Sequence, residues 1–144
     1  MKIEVTTKNE NETMALAERF AKTLALPAVV SLVGDLGAGK TTFTKGFAKG
    51  LGIEKMITSP TFTILNEYTE NSTKMFHFDM YRLESEDEAR AVGFESYFDL
   101  KTLSGATVVE WAENTQGILP QKYWQVTLKK IGDDERKITL EQIG

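Results

Sequence analysis

GDLGAGKT, at residues 34–41, matches the phosphate-binding pattern G-x-x-x-x-G-K-[ST]. Its glycines allow the backbone to wrap with the N–H groups pointing inward, which makes a nest for a β-phosphate. Lys40 supplies a mobile positive charge for the β- and γ-phosphates, and the Thr41 hydroxyl supplies a ligand for Mg²⁺. The segment therefore predicts a site for a nucleoside triphosphate with Mg²⁺, in which Lys40 both binds and catalyses.

The residues on either side of this loop have the pattern that a phosphate site requires. Ala28–Val33 is a continuous apolar and β-branched run, typical of a strand buried on both faces of a parallel sheet. A helix is predicted from about Gly39 to Leu51, and its positive end points at the loop. A glycine-rich turn with a solvated lysine is the alternative, and the strand–loop–helix order argues against it. Thr42 either contacts the α-phosphate or only begins the helix, and we favour the contact.

The chain before and after this unit also carries helical patterns. Residues 2–6 alternate as a short strand, and an amphipathic helix follows them. Three residues compete to cap this helix: Thr7, which begins a Thr-x-x-Glu box, Asn9 and Asn11. Two further helical segments are predicted at residues 84–92 and 93–100.

Two antiparallel hairpins are predicted in the remaining sequence. Phe62–Tyr68 and Met75–Asp79 are joined by a polar, turn-like stretch, and Tyr123–Ile131 and Lys137–Gln142 are joined by a Gly-Asp-Asp turn. With the phosphate loop, these segments predict an α/β fold of three layers, a P-loop NTPase domain. Its central strands are parallel and antiparallel hairpins flank them. We expect one domain over residues 1–144.

The composition excludes several other classes of protein. The 144 residues carry 17 Lys and Arg against 21 Asp and Glu, a net charge of −4, which argues against a domain that grips naked nucleic acid. Cysteine is absent and His77 is the single histidine, so disulfides, thiolate nucleophiles and sites with several His or Cys ligands are excluded. Without a membrane-spanning apolar run or a signal peptide, we expect a cytoplasmic protein with no membrane partner.

The segment HFDMYR closes one of the predicted strands and ends in polar residues. Asp79 stands where ligand groups collect in an α/β sheet, so it could hold Mg²⁺ through water, orient an attacking water, or only cap a turn. His77 and Tyr81 each fit a packed residue as well as a functional one. Arg82 either contacts phosphate or pairs with the acidic stretch that follows it.

A second carboxylate ends the buried strand predicted at Thr107–Glu110. Such a residue completes the Mg²⁺ shell in P-loop NTPases, and Glu110 is the best-placed candidate. Trp111 beside it either borders the nucleotide or only packs. Ser59–Phe62 falls where a switch loop follows the first helix of such enzymes, although alone it would indicate a turn before a strand.

Four segments together, Gly34–Thr42, Ser59–Phe62, His77–Arg82 and Val109–Trp111, resemble the TsaE (YjeE/YdiB) family of small bacterial P-loop ATPases. The resemblance implies an ATPase subunit that binds ATP and Mg²⁺. It implies a role in forming N6-threonylcarbamoyladenosine at position 37 of tRNAs that read codons beginning with A. The implied partners are the TsaB and TsaD subunits, with tRNA reached only through the complex, and ATP hydrolysis resets that complex.

The resemblance also implies roles for individual residues. It implies that Asp79 supports hydrolysis and that Thr41 and Glu110 hold Mg²⁺, and with Lys40 at the phosphates we expect Asp79, Glu110 and Lys40 to be the catalytic residues. Arg82 and Arg136, the internal candidates for a charge at the γ-phosphate, both fall in predicted loops, so we expect weak hydrolysis alone and stimulation by TsaB with TsaD. The ATP-binding residues that the resemblance implies are Gly37, Ala38, Gly39, Lys40, Thr41, Thr42, Asn11, Glu113 and Arg136, and Trp111 joins them by its position beside Glu110.

Three other functions fit part of the pattern. A small-molecule kinase fits the size and the phosphate loop, but such enzymes usually bring several arginines onto the phosphates. This chain has only four arginines, Arg19, Arg82, Arg90 and Arg136, and Arg19 lies in the middle of a predicted helix. A GTPase has little support, because neither Asn-Lys-x-Asp nor a later Asp-x-x-Gly is present. A non-catalytic module that binds ATP only to dock on a partner would need the same Lys40, Thr41 and Glu110, and this alternative stays open.

Overall fold

The structure is a computed structural model that describes all residues, 1–144. None of its helices combines the length and the apolar character needed to cross a membrane. In chain order the elements are β1 Lys2–Thr7, α1 Glu10–Thr23, β2 Ala28–Val33, α2 Lys40–Gly50, β3 Leu65–Glu70, β4 Thr73–Asp79, α3 Glu86–Ala91, a 3₁₀ helix Phe94–Phe98, β5 Ala106–Glu110, a second 3₁₀ helix Ala112–Ile118, β6 Tyr123–Lys130 and β7 Arg136–Ile143.

The seven strands form one sheet in the order β1-β7-β6-β2-β5-β4-β3. The four central strands are parallel, because β2 pairs with both β5 and β6, and β4 pairs with β5. The flanks are antiparallel: β3 pairs with β4, β6 with β7, and β1 with β7. The predicted α/β fold with parallel central strands and antiparallel hairpins is confirmed.

Apolar side chains cover both faces of the central sheet. On one face α1 packs against α2, with the Phe20 ring 6.2 Å from Phe43 and 6.1 Å from Phe47. On the other face α3 and the two 3₁₀ helices cover a second cluster centred on Phe78. Strand β2 buries side chains on both faces, with Val30 and Leu32 in the first cluster and Val29 in the second. A strand buried on both faces needs a continuous apolar run, which is what the sequence of β2 shows.

The strand predicted to begin at Phe62 begins at Leu65 instead. The Ile64 N–H donates to the Pro60 carbonyl oxygen at 2.7 Å, and Ile64 has a φ of 69°, so the chain makes a turn before it enters the sheet. Phe62 is consequently 87% exposed. An apolar aromatic residue such as Phe62 is typical of a strand, but here it belongs to the loop before β3.

Two other boundaries depend on side-chain hydrogen bonds. Of the three candidate caps of α1, Asn9 is the cap, because its side chain accepts from the Glu12 N–H at 2.9 Å. Thr7 is buried and its hydroxyl bonds the Thr13 hydroxyl at 2.7 Å, so it is not available as a cap. Arg136, which the sequence placed in a loop, is the first residue of β7.

Candidate nucleotide-binding site

The loop between β2 and α2 needs its glycines for two different reasons. At Gly34 a Cβ atom would lie 2.7 Å from the Leu128 carbonyl oxygen of β6, so the close approach of two backbones excludes a side chain. Gly37 and Gly39 have φ angles of 81° and 103°, in the left-handed region that favours glycine. The glycines of the motif therefore set the path of the loop against the sheet.

This loop borders an open cavity of about 290 Å³. The cavity lies at the carboxyl ends of the parallel strands, which is where α/β sheets bind their ligands. Ser59 and Thr61 of the predicted switch loop reach it from the segment before β3. It also brings together most of the predicted site residues: Gly37, Gly39, Lys40, Thr41, Thr42, Asp79, Glu110, Trp111 and Arg136.

Two of the predicted nucleotide ligands, Asn11 and Glu113, are exposed and do not line the cavity. On α1 the lining residues are instead Glu10 and Thr13, which share a helix face at i and i+3, whereas Asn11 is rotated away from it. Helical spacing from the Asn9 cap is the signal that could have found this pair. Leu36 and Asp134 also line the cavity, and neither was singled out in the sequence.

Ala38 is 2% exposed, and its side chain belongs to the core between the sheet and the helices α1 and α2. Only its backbone can therefore face a ligand. The residue at this position of the motif anchors the loop to the core, which explains a small apolar side chain there.

The Lys40 side chain is buried beside the loop from which it extends. Its Nζ atom donates to the Gly34 carbonyl oxygen at 2.8 Å and lies 4.0 Å from the centre of the Trp111 ring, a cation–π contact. Trp111 has a φ of 57°, rare for a bulky residue. Its ring also packs edge-on against Tyr81, with 5.2 Å between the ring centres. Trp111 and Tyr81 thus form an aromatic wall beside the lysine.

Arg136 connects the phosphate loop to the hairpin β6–β7. Its Nε atom donates to the Ala38 carbonyl oxygen at 3.0 Å, and Nη2 donates to that of Gly37 at 3.2 Å. Its Nη1 atom donates to three further carbonyl oxygens in the hairpin turn, those of Gly132, Asp133 and Glu135. Because these bonds engage every nitrogen of the guanidinium, Arg136 holds the backbone of the phosphate loop against the hairpin turn, and it also lines the cavity.

Asp79, at the end of β4, is 3% exposed and is bonded to loops. Its Oδ1 atom accepts from the Tyr81 N–H at 2.9 Å, and its Oδ2 atom accepts from the Thr61 hydroxyl at 3.0 Å. The Thr61 oxygen lies 2.7 Å from the Ser59 hydroxyl. Because Thr61 gives its proton to Asp79, Ser59 is the donor in this second bond. Asp79 therefore ties the loop before β3 to the end of β4.

Glu110, at the end of β5, is 5% exposed and is bonded to the sheet interior. Its Oε2 atom lies 2.6 Å from Nε2 of His77, which is fully buried in β4. Arg82, the remaining charged candidate, is exposed and donates to the Phe62 carbonyl oxygen at 2.8 Å. The two strand-end carboxylates are thus both held in place, one by loops and one by the core.

The oxygen atoms around the cavity that could coordinate a metal fit a nucleotide with Mg²⁺. The Thr41 hydroxyl and the carboxylates of Asp79 and Glu110 are hard oxygen ligands of the kind Mg²⁺ prefers. No three His, Cys, Asp or Glu side chains lie close enough together to hold a metal ion by themselves. A cation held by one or two protein ligands, with phosphate and water completing its shell, matches this arrangement.

Residues 7–138 match the family model for the threonylcarbamoyl adenosine biosynthesis protein TsaE. The chain belongs to the TsaE family. The resemblance that the four sequence segments indicated is therefore confirmed, and the matched range contains every segment that lines the cavity.

Known TsaE proteins resemble the chain over most of its length. The tRNA threonylcarbamoyladenosine biosynthesis protein TsaE of Bacillus subtilis is 46% identical over 138 residues, which are 96% of this chain and 84% of the relative. The TsaE protein of a Nostoc species is 41% identical over 127 residues, which are 88% of this chain and 76% of the relative. The crystal structure of Bacillus subtilis YdiB superposes with a TM-score of 0.84 at 40% identity, covering 100% of this chain and 87% of that one.

Proposed function

We propose that this TsaE-family chain is the Mg²⁺-dependent ATPase subunit that acts with TsaB and TsaD to form threonylcarbamoyladenosine in tRNA. The observation that carries the proposal is the convergence at one cavity of the phosphate loop with Lys40 and the two strand-end carboxylates, Asp79 and Glu110. The acidic net charge of −4 supports a subunit that reaches tRNA through its partners.

Each part of the cavity has a defined task in this proposal. The backbone N–H groups of residues 37–42 and the Lys40 ammonium hold the phosphates of ATP. The Thr41 hydroxyl and one oxygen of Glu110 hold Mg²⁺, which when bound neutralises the developing charge on the phosphates. Asp79 accepts a hydrogen bond from the attacking water and orients it. Trp111 and Tyr81 keep Lys40 in reach of the site.

The proposed dependence on partners is supported by the state of the two candidate arginines. A charge at the γ-phosphate is worth about 10³–10⁵ in rate in enzymes of this class. The Arg136 guanidinium is bonded to the carbonyl oxygens of the phosphate loop and the hairpin turn, and Arg82 is exposed and bonded to Phe62. Neither guanidinium is free to contact a γ-phosphate in the cavity. We therefore propose that TsaB and TsaD either supply a positive charge there or free one of these two arginines to supply it.

Multiple-turnover tRNA modification by the complete set of subunits tests the proposal. With ATP we expect the modification to continue, and with a non-hydrolysable analogue we expect it to stop after about one cycle of the complex, because the complex is not reset. Undiminished turnover with the analogue would overturn the role of hydrolysis and favour a module that senses ATP and docks without cleaving it.

Nucleotide binding is tested by calorimetric titration of ATP into Lys40→Ala. We expect affinity to fall about 10- to 150-fold, since a charge-assisted contact is worth about 1.5–3 kcal/mol. Lys45→Ala is the matched control, because Lys45 lies on the same helix, is exposed and does not line the cavity. Unchanged affinity in Lys40→Ala would contradict the assignment of the phosphate site.

A further inference from the structure

His77 is placed in the sheet rather than at the cavity surface. It lies in β4, two residues before Asp79, and is fully buried beside Val108, its partner in register on β5. Its one polar contact is the bond between Nε2 and Glu110 Oε2, at 2.6 Å. The sequence left open whether this histidine packs or functions, and the contact with Glu110 connects it to the cavity.

The other ring nitrogen determines which tautomer is present. His77 Nδ1 is buried without a hydrogen-bond partner, and it is the one buried side-chain nitrogen or oxygen in the chain of which this is true. A proton on Nδ1 would be an unpaired buried donor, which is more costly than an unpaired lone pair next to a carboxylate. The ring therefore carries its proton on Nε2 and donates it to Glu110.

This bond restricts what Glu110 can present to the cavity. Oε2 is occupied by a short, charge-assisted hydrogen bond from within the sheet. The carboxylate makes no other hydrogen bond, and Glu110 lines the cavity, so Oε1 is the oxygen left for a ligand. An apolar side chain at position 77 would fill the same space without an unpaired nitrogen, so packing alone does not account for a histidine there.

We propose that His77 is a positioning residue that holds Glu110 so that a single carboxylate oxygen faces the Mg²⁺ of the bound nucleotide. The proposal rests on the proposed function, in which Glu110 is a metal ligand. Ligating carboxylates are commonly hydrogen-bonded in turn, and loss of such a partner typically lowers metal affinity about 10- to 100-fold. His77 acts through Glu110 and does not itself touch the metal or the nucleotide.

The experiment measures binding of Mn²⁺, as a paramagnetic probe, to the complex of the chain with ADP by electron paramagnetic resonance. His77→Leu removes the donor and keeps an apolar side chain in the core, and we expect its Mn²⁺ affinity to fall about 10- to 100-fold. ADP affinity measured in the presence of EDTA should stay at the wild-type value. His77→Gln, whose amide N–H can reach Glu110, should recover most of the loss.

Two further variants separate positioning from general damage to the sheet. Thr107→Val changes an equally buried polar residue of β5 that bonds Tyr97 and lies outside the cavity, so it should leave Mn²⁺ affinity unchanged. The double variant His77→Leu with Glu110→Gln should bind Mn²⁺ no more weakly than Glu110→Gln alone, because His77 acts only through that carboxylate.

Three results would overturn the proposal: unchanged Mn²⁺ affinity in His77→Leu, additive losses in the double variant, or loss of ADP binding in EDTA by both His77→Leu and His77→Gln. The last result would show a purely structural role. Failure of wild-type protein with ADP to bind Mn²⁺ at all would instead contradict the proposed function, so the two failures are distinguishable.

Discussion

Asp79 and Glu110 are partners in register at the ends of the neighbouring parallel strands β4 and β5, yet their surroundings differ. Asp79 is bonded to Thr61 in the loop before β3 and to the backbone just after its own strand. Glu110 is bonded to a fully buried histidine within the sheet. One carboxylate is therefore held by a surface loop and the backbone after its strand, and the other is held by the core.

This difference suits two different tasks. A metal ligand benefits from a rigid position, because its distance to the metal must vary little. A group that orients water during hydrolysis can instead be coupled to a loop that a partner protein orders, so that its position depends on the partner. We therefore propose that Glu110 holds Mg²⁺ and that Asp79 orients water, and three substitutions test this division.

Asp79→Asn should have the largest effect. The amide keeps nearly the same shape and loses the charge, so we expect ATP hydrolysis in the presence of TsaB and TsaD to fall about 10²- to 10⁴-fold, the range for a positioned acid–base group. ADP affinity, measured by calorimetry, should stay close to that of the wild type, because the interaction is made mainly in the transition state. A comparable loss of ADP affinity would mean that Asp79 holds the ground-state complex.

Glu110→Gln should have a smaller effect of a different kind. We expect the Mg²⁺ concentration for half-maximal hydrolysis to rise about 10- to 100-fold, with much of the rate recovered at saturating Mg²⁺. A Mg²⁺ titration of the hydrolysis rate measures this shift. Glu4→Gln removes an exposed carboxylate of strand β1 that does not line the cavity, and should leave the titration curve in place. If Asp79→Asn shifts the curve equally, the two carboxylates share the metal.

Thr61→Val should have the smallest of the three effects. It removes the hydroxyl that donates to Asp79 and keeps the side-chain shape, so we expect hydrolysis to fall about fivefold, the equivalent of one ordinary hydrogen bond of about 1 kcal/mol. Ser59→Ala, which loses only the bond to Thr61, should change the rate less still. A shift in the Mg²⁺ requirement of Thr61→Val would show that the loop acts on the metal as well as on Asp79.

Local patterns were sufficient to predict most of the fold. The continuous apolar runs at β2 and β5 and the alternating runs at β6 and β7 identified strands, because burial on two faces and burial on one face leave different periodicities. The errors occurred where short-range hydrogen bonds compete with periodicity, as at Phe62, which lies within the turn that the Ile64 N–H closes on the Pro60 carbonyl oxygen. The 3₁₀ helix Ala112–Ile118 was not predicted, because its buried face holds only two apolar side chains, Ala112 and Ile118, with Thr115 between them.

The path of the loop at residues 34–41 could be predicted from the sequence, since its glycines, lysine and threonine stand at fixed spacings within eight residues, as wrapping around a phosphate requires. Both strand-end carboxylates were found in the same way, because each directly follows an apolar run. Their different surroundings depend instead on residues far along the chain: Glu110 bonds a residue 33 positions away, and Asp79 one 18 positions away. Arg136 reaches Ala38 across 98 positions. No local pattern records such pairs, because side chains so distant in sequence come within hydrogen-bond distance only after the sheet has aligned β4, β5 and β7.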